Sequence, residues 1–237
     1  MMHVSLFEVW KITQRCLEAA GVPAGHDREG AFATMWLAEH GFPGIVMVST
    51  VDLSTGADWS LSLSRTESAT QLDAAGLPLV SLGVDAIDLA VADAVSNVVE
   101  LTVVNACAPL YLIPFAARRT HQSGTFTLRW EIAGDAICAT VSGEQVWIDG
   151  GNLDTLNDVT TRCDAKVIYD PQGNSGAPVG QLLTAQQIDT RRQDCLAHGT
   201  EVDKAQWAEL VQMSRAVLVP DSAESREHGA GGGDAND

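Results

Sequence analysis

The chain has 237 residues, 46% of them hydrophobic, which is enough for one large domain or two small ones with a sizeable core and excludes global disorder. Its 31 acidic residues against 14 basic ones give a formal charge of −17. A field of that sign repels phosphate, so no nucleic acid and no membrane surface is expected as a partner; a small-molecule ligand or a homo-oligomer is the association left open.

The five cysteines, at 16, 107, 138, 163 and 195, are odd in number, widely spaced and free of any C-x-x-C pair, so neither a disulfide framework nor a zinc knuckle fits. Reduced thiols in a cytoplasm fit best. The opening MMHVSLFEVWKITQ lacks the basic-then-apolar order of a secretory signal. The longest apolar block, 106–117, is broken by Pro109 and Pro114 and falls short of the roughly 20 residues a spanning helix needs. The predicted location is cytoplasmic.

In chain order, Ser5 and Glu8 form an S-x-x-E capping box, followed by Leu6, Val9, Thr13, Cys16 and Leu17 at helical spacing and a stop at Gly21 and Pro23. A second helix is predicted over 27–40, its buried stripe made by Phe32, Met35 and Trp36 with Ala33 and Leu37. Pro43 opens a third, buried through Ile45 to Val48, Val51 and Leu53. Residues 54–76 read as a polar connection with one short helix over 67–75. Ile87, Val91 and Val95 predict another helix, with Asp85, Asp88 and Asp93 facing water.

A sheet is expected from Val98 to Trp147 and somewhat beyond, where short Val-, Ile-, Thr-, Phe- and Trp-rich runs are separated by Gly, Asp and Ser. Thr125, Thr127, Arg129 and Glu131 alternate with Phe126, Leu128, Trp130 and Ile132, the pattern of a strand packed on one face and wet on the other. Strands over 136–141 and 145–148 follow, each after a Gly-containing turn. Leu110 to Phe115 reads as a central strand weakened by its prolines, and Ala165 to Tyr169 as a late strand. Thr184 with Gln187 caps a helix ending at Gly199, and Asp203 starts a last one buried through Trp207, Leu210 and Val211. The predicted fold class is α+β: an N-terminal helical layer, a central mostly antiparallel sheet and C-terminal helices over 1–219. A Gly-rich segment over 220–237 follows, which either trails or folds back onto the domain.

No P-loop, H-E-x-x-H, G-x-S-x-G or strand-linked G-x-G-x-x-G occurs, so no reaction is announced, no metal is indicated and the cofactor is unknown. Ser175 sits in the loop Gly173-Asn-Ser-Gly-Ala-Pro with no histidine placed beside it, which reads as a turn. Glu39-His40 ends the second helix, where the helix dipole favours an imidazolium, a structural role. Arg118-Arg119 reads first as a partner of local carboxylates and second as a grip on an anionic ligand. The candidate ligand site is C-terminal: Ser222, Ser225 and Arg226, then Gly229 and Gly231, then Asp234. Glycines let backbone amides crowd around an anion, and an arginine grips a carboxylate bidentately.

Two resemblances bear on this. The opening, SLFEVWKITQRCLEAAGVPAGHDREGAFATMWLAEHGFPG, and the closing run, VPDSAESREHGAGGGDAND, resemble the two ends of a bacterial family of unknown function. That resemblance implies that the closing run is a motif, and it supplies no reaction. The helix pair with its Gly-x-Pro turn is similar, more faintly, to the malate/lactate dehydrogenase family outside the Rossmann group, whose histidine motif Glu39-His40-Gly41 matches loosely. The expected function is an enzyme, or an enzyme's partner subunit, acting on a small carboxylate-bearing metabolite. The alternatives are a non-catalytic binding or assembly protein whose tail docks on a partner, and a malate/lactate-dehydrogenase-like oxidoreductase.

Overall fold

The structure, a computed structural model, describes residues 1–50, 58–66, 69–120, 124–173 and 181–217. Strand β1 (Met2–Val4) leads into helix α1 (Leu6–Ala19), whose first turn is closed by the Ser5–Glu8 capping box. Val9, Thr13, Cys16 and Leu17 form its buried face, as their spacing requires. Helix α2 (His26–Glu39) and the short α3 (Gly44–Thr50) pack beside it. The face of α2 turned to the core is made of small residues: Gly30, Ala31, Ala33, Thr34 and Ala38, with Leu37. A Cβ at Gly30 would lie 2.5 Å from Leu17 Cδ1 and 2.9 Å from the Val80 carbonyl, so this helix sits close against its neighbours. Phe32, Met35 and Trp36, expected to be the buried stripe, are only half-buried. Val51 and Leu53, expected on α3, lie outside the described residues.

Where a connection with one helix was expected over 54–76, the described part forms an antiparallel hairpin, β2 (Ser62–Arg65) and β3 (Thr70–Asp73). All four residues of β2 are exposed, so no apolar alternation betrays the strand. Helix α4 (Leu79–Asp93) and strand β4 (Val99–Ala106) follow. The apolar block after them is not a strand. Pro109–Tyr111 is a 3₁₀ turn running into helix α5 (Leu112–Thr120). Its prolines decide this: Pro109 occupies the first position of the turn and Pro114 the first turn of the helix, where no backbone N–H is needed.

Strands β5 (Thr125–Ile132), β6 (Asp135–Ser142) and β7 (Gln145–Gly150) form a meander. After the one-turn α6 (Leu153–Leu156) comes β8 (Cys163–Asp170), which inserts between β4 and β5. The short β9 (Gln181–Leu183) closes the edge beside β7. The sheet order is β2-β3-β4-β8-β5-β6-β7-β9, antiparallel except for the β3–β4 pair. Helix α7 (Ala185–His198), capped by Thr184 and Gln187, and helix α8 (Lys204–Ser214) complete the described chain. Between them β10 (Thr200–Val202) pairs with β1.

The helices cover one sheet face. There Phe126, Leu128, Val141, Ile148, Val167 and Val103 are fully or nearly fully buried. Their odd-even neighbours, among them Arg129, Glu131 and Lys166, stay exposed. Trp130 and Glu131 accordingly point to opposite faces. All five cysteines are free. The fold class is α+β, as the sequence predicts.

Candidate functional site

The half-buried side of α2 opens on a cavity of about 570 Å³. Phe32, Trp36, Glu39 and His40 form one wall, and the end of α5, with Ala117 and Arg118, forms another. The β6–β7 turn (Glu144, Gln145) and the first two turns of α7 (Ile188, Asp189, Arg192) close the remainder. Two small features hold these walls together. Buried Thr120 donates its hydroxyl proton to the carbonyl of Gly143 or Ala116 (2.8 and 3.2 Å), tying α5 to the β6–β7 turn. Gly41 has φ +72°, which favours glycine, and the Arg191 side chain of α7 rests where its Cβ would be, 3.0 Å away.

His40 is the centre of the site. The residue is 7% exposed, and its ring stacks on the Trp36 indole with centroids 3.7 Å apart and planes 17° apart. Nδ1 lies 2.7 Å from the Trp36 carbonyl oxygen, which can only accept, so Nδ1 carries the proton. Nε2 is left as an acceptor with no protein partner among the described residues. Burial, the largest influence, holds the imidazole pKa below its ordinary value; the Trp36 carbonyl and Glu39 only partly oppose it. The imidazolium expected at the helix end is therefore corrected to a neutral imidazole, because desolvation outweighs the helix dipole.

The cations of the cavity are already matched. Arg192 Nε donates to Glu39 Oε1 at 2.8 Å. Arg118 pairs with Glu29 and lies over the Phe32 ring, 4.7 Å from its centroid. Arg119 pairs with Asp88, so both arginines of the Arg118-Arg119 pair take the local-carboxylate role. Arg118-Arg119 closes a helix, not the strand the sequence suggested. Glu39, Glu144 and Asp189 outnumber Arg118 and Arg192 on the lining, so the field inside is mildly negative.

The C-terminal candidates Ser222, Ser225, Arg226, Gly229, Gly231 and Asp234 lie outside the described residues, as does Ser175. Among described residues no group of three or more His, Cys, Asp or Glu is arranged to hold a metal ion. Likewise, no described helix is long and apolar enough to cross a membrane. Reasoning from sequence missed Phe32, Trp36, Asp189 and Arg192 as lining residues. The one available signal was Glu39-His40-Gly41 at the end of a helix.

The His40 pKa has a thermodynamic consequence. In the unfolded chain histidine titrates near 6.5; folded, it holds its proton less well. The unfolded state thus binds more protons just below that pH, and the contribution of His40 to stability, complete above about 6.5, is lost as pH falls toward the lowered folded value. His40→Asn keeps a donor for the Trp36 carbonyl and cannot titrate. The melting temperature of wild type should drop more between pH 7 and pH 5 than that of the variant.

The model of a family described as "Protein of unknown function (DUF3726)" matches residues 4–71, in keeping with the resemblance of the opening to a family of unknown function. No curated protein sequence matches the chain. Solved structures do. Malate dehydrogenase from Entamoeba histolytica superposes with a TM-score of 0.66 at 10% identity, covering 93% of this chain and 99% of that one. Sulfolactate dehydrogenase from Methanocaldococcus jannaschii gives 0.59 at 12% identity, with 90% and 96% covered. Delta1-piperideine-2-carboxylate reductase from Pseudomonas syringae pvar. tomato gives 0.61 at 12%, with 90% and 100% covered. The likeness is one of fold. The shared fold packs the helix pair that ends in His40 onto α4 and α5, which in turn lie on the sheet; it carries no activity across by itself.

Proposed function

We propose that the chain is an enzyme, or an enzyme's partner subunit, that handles a small carboxylate-bearing metabolite in the His40 cavity. The observation that carries this reading is a nearly buried imidazole that lines a cavity of about 570 Å³, with Nδ1 committed to the Trp36 carbonyl and a pKa that burial holds below its ordinary value. That volume is in the range that takes a small organic ligand, roughly 300–1,000 Å³. A neutral histidine held in one tautomer accepts a proton from a substrate hydroxyl or activated C–H, the commonest task of the residue in catalysis. Trp36 supplies a flat apolar wall, and Arg118 or Arg192 supplies a hydrogen-bond fork for the carboxylate. Both guanidinium groups are already paired, so the substrate shares them with Glu29 and Glu39 and binds with modest affinity.

The fold favours a second reading, an oxidoreductase acting on a 2-hydroxy acid, in which His40 takes the hydroxyl proton. Such a reaction needs a hydride acceptor. The described cavity residues do not fit a dinucleotide: its pyrophosphate would meet compensated arginines and the carboxylates of Glu144 and Asp189. Ser225 and Arg226 remain proposed contributors to the carboxylate grip. Deleting 221–237 tests them, the expected result being loss of ligand binding with little change in melting temperature.

The decisive experiment is a thermal-shift series with malate, lactate and related small hydroxy and oxo carboxylates. A ligand at 100 times its dissociation constant stabilises by about 2.7 kcal/mol. Wild type should show a shift with at least one of them and His40→Asn should lose it. No shift across the series overturns the reading.

A further inference from the structure

Helix α7 turns one stripe to the His40 cavity: Ala185, Ile188, Asp189 and Arg192, at the i, i+3, i+4, i+7 spacing of a single helix face. Buried Ile188 anchors that stripe, and the two charged residues stand beside it. Three apart on a helix, Asp189 and Arg192 are neighbours that commonly pair, yet Arg192 Nε donates to Glu39 of α2 at 2.8 Å instead. That hydrogen bond is the main reason the Arg192 pKa is raised, and Asp189 acts on it only through its charge.

Asp189 is thereby the carboxylate left over. Glu39 is taken by Arg192, and the other lining cation, Arg118, is taken by Glu29. Among the described residues Asp189 makes no hydrogen bond or ion pair. Its field nevertheless reaches the centre of the site: burial holds the His40 pKa down, and Asp189 is one of the charges that pull it up. Glu144, on the β6–β7 turn, adds another carboxylate to the lining, and its charge too is felt at Arg192.

The pairing decides which ligand this set of charges favours. An arginine already matched by a carboxylate still offers hydrogen bonds to an incoming anion, but the matched pair brings it no net attraction. A monocarboxylate would therefore meet compensated arginines and an unmatched Asp189, on a chain of formal charge −17. A dicarboxylate would meet the same field with twice the charge. A ligand that carries its own cation escapes this repulsion. Side chains three apart on a helix have Cβ atoms roughly 5–6 Å apart, so one small molecule can meet Asp189 and Arg192 together.

Given that the cavity takes a carboxylate-bearing metabolite, we infer that this metabolite is a zwitterion, an α-amino acid or a close relative with a protonated nitrogen beside its carboxylate. Asp189 is the residue that selects it over the hydroxy acid of the same skeleton. The carboxylate shares the N–H groups of Arg192 or Arg118, and the ammonium donates to Asp189.

Calorimetric titration of the full chain with alanine against lactate, and with aspartate against malate, tests this. The members of each pair share a carbon skeleton and differ in ammonium against hydroxyl. Each amino acid should bind about threefold tighter or more than its hydroxy partner, the size of effect an ion pair has at a partly exposed site. The preference should shrink between about 0.02 M and about 0.5 M salt, as Asp189 is screened. Asp189→Asn, a change at an exposed position, should abolish the preference, with melting temperature as the check on folding. Asp194→Asn, on the same helix but outside the cavity, should keep it. Lactate or malate binding as tightly as its amino partner overturns the inference and leaves the carboxylate reading in place, and so does a preference that survives Asp189→Asn. Absence of binding by all four compounds overturns both.

Discussion

Phe126→Ala is expected to cost about 3–5 kcal/mol, the usual toll of emptying a fully buried aromatic site. Phe126 has no exposed surface, stands on the central strand β5 and stacks on Tyr169 of β8 with ring centroids 4.5 Å apart. The hole would open where β8 is inserted between two strands far from it in the chain, so neighbouring side chains have little freedom to close it. Native stabilities are typically only 5–15 kcal/mol. Urea unfolding should therefore show a midpoint lowered by a large fraction of the wild-type value, with the slope little changed.

Substitution of Tyr111 should be nearly as damaging and can be dissected. Its ring is fully buried in the 3₁₀ turn before α5, and its hydroxyl lies 3.0 Å from the Gly44 carbonyl and 3.1 Å from Thr34 Oγ1. Thr34 Oγ1 is also 2.9 Å from the Gly30 carbonyl. Two hydroxyl protons serve three contacts, so at any moment one of the three has no proton in it. Tyr111→Phe removes the phenol donor to the Gly44 carbonyl, at a cost of about 1 kcal/mol. Tyr111→Ala adds the cavity and should cost about 3–5 kcal/mol. A phenylalanine variant as stable as wild type would show that Gly44 and Thr34 find other partners. Burial also drives the phenol pKa well above its ordinary value, so the hydroxyl stays a donor across the physiological range.

The framework was legible wherever a local rule and the tertiary packing agreed. The capping boxes at Ser5 and Thr184 mark helix starts that the structure keeps, and the alternation from Thr125 to Ile132 marks the central strand. Leu110 to Phe115 misled because an all-apolar run has no period to separate a buried strand from a buried helix. The prolines were the deciding signal, and they fit the first turn of a helix better than a sheet ladder. Ser62 to Arg65 was missed for the opposite reason: an edge strand with every side chain in water has no apolar signature at all.

The cavity was less accessible. Phe32 and Trp36 satisfy a helical stripe, and nothing in their spacing says whether such a stripe meets a core or a void. The Ala- and Gly-rich opposite side of α2 is what packs, because close approach, not bulk, is what that interface needs. The protonation of His40 depends on residues from 36 to 192 meeting in space. No local window contains them.

Helix α1 is finished by residues from the far end of the described chain. The Cys16 thiol, whose pKa burial pushes up to about 12, keeping it protonated, donates to the Leu210 carbonyl at 3.2 Å, and among the described residues β1 is paired only with β10. A ribosome adding 5–20 residues per second takes roughly 10–40 s to travel between these partners. For that interval the side of α1 that will meet α8 has no native cover, while α2 and α3 are already free to pack on the rest of the helix.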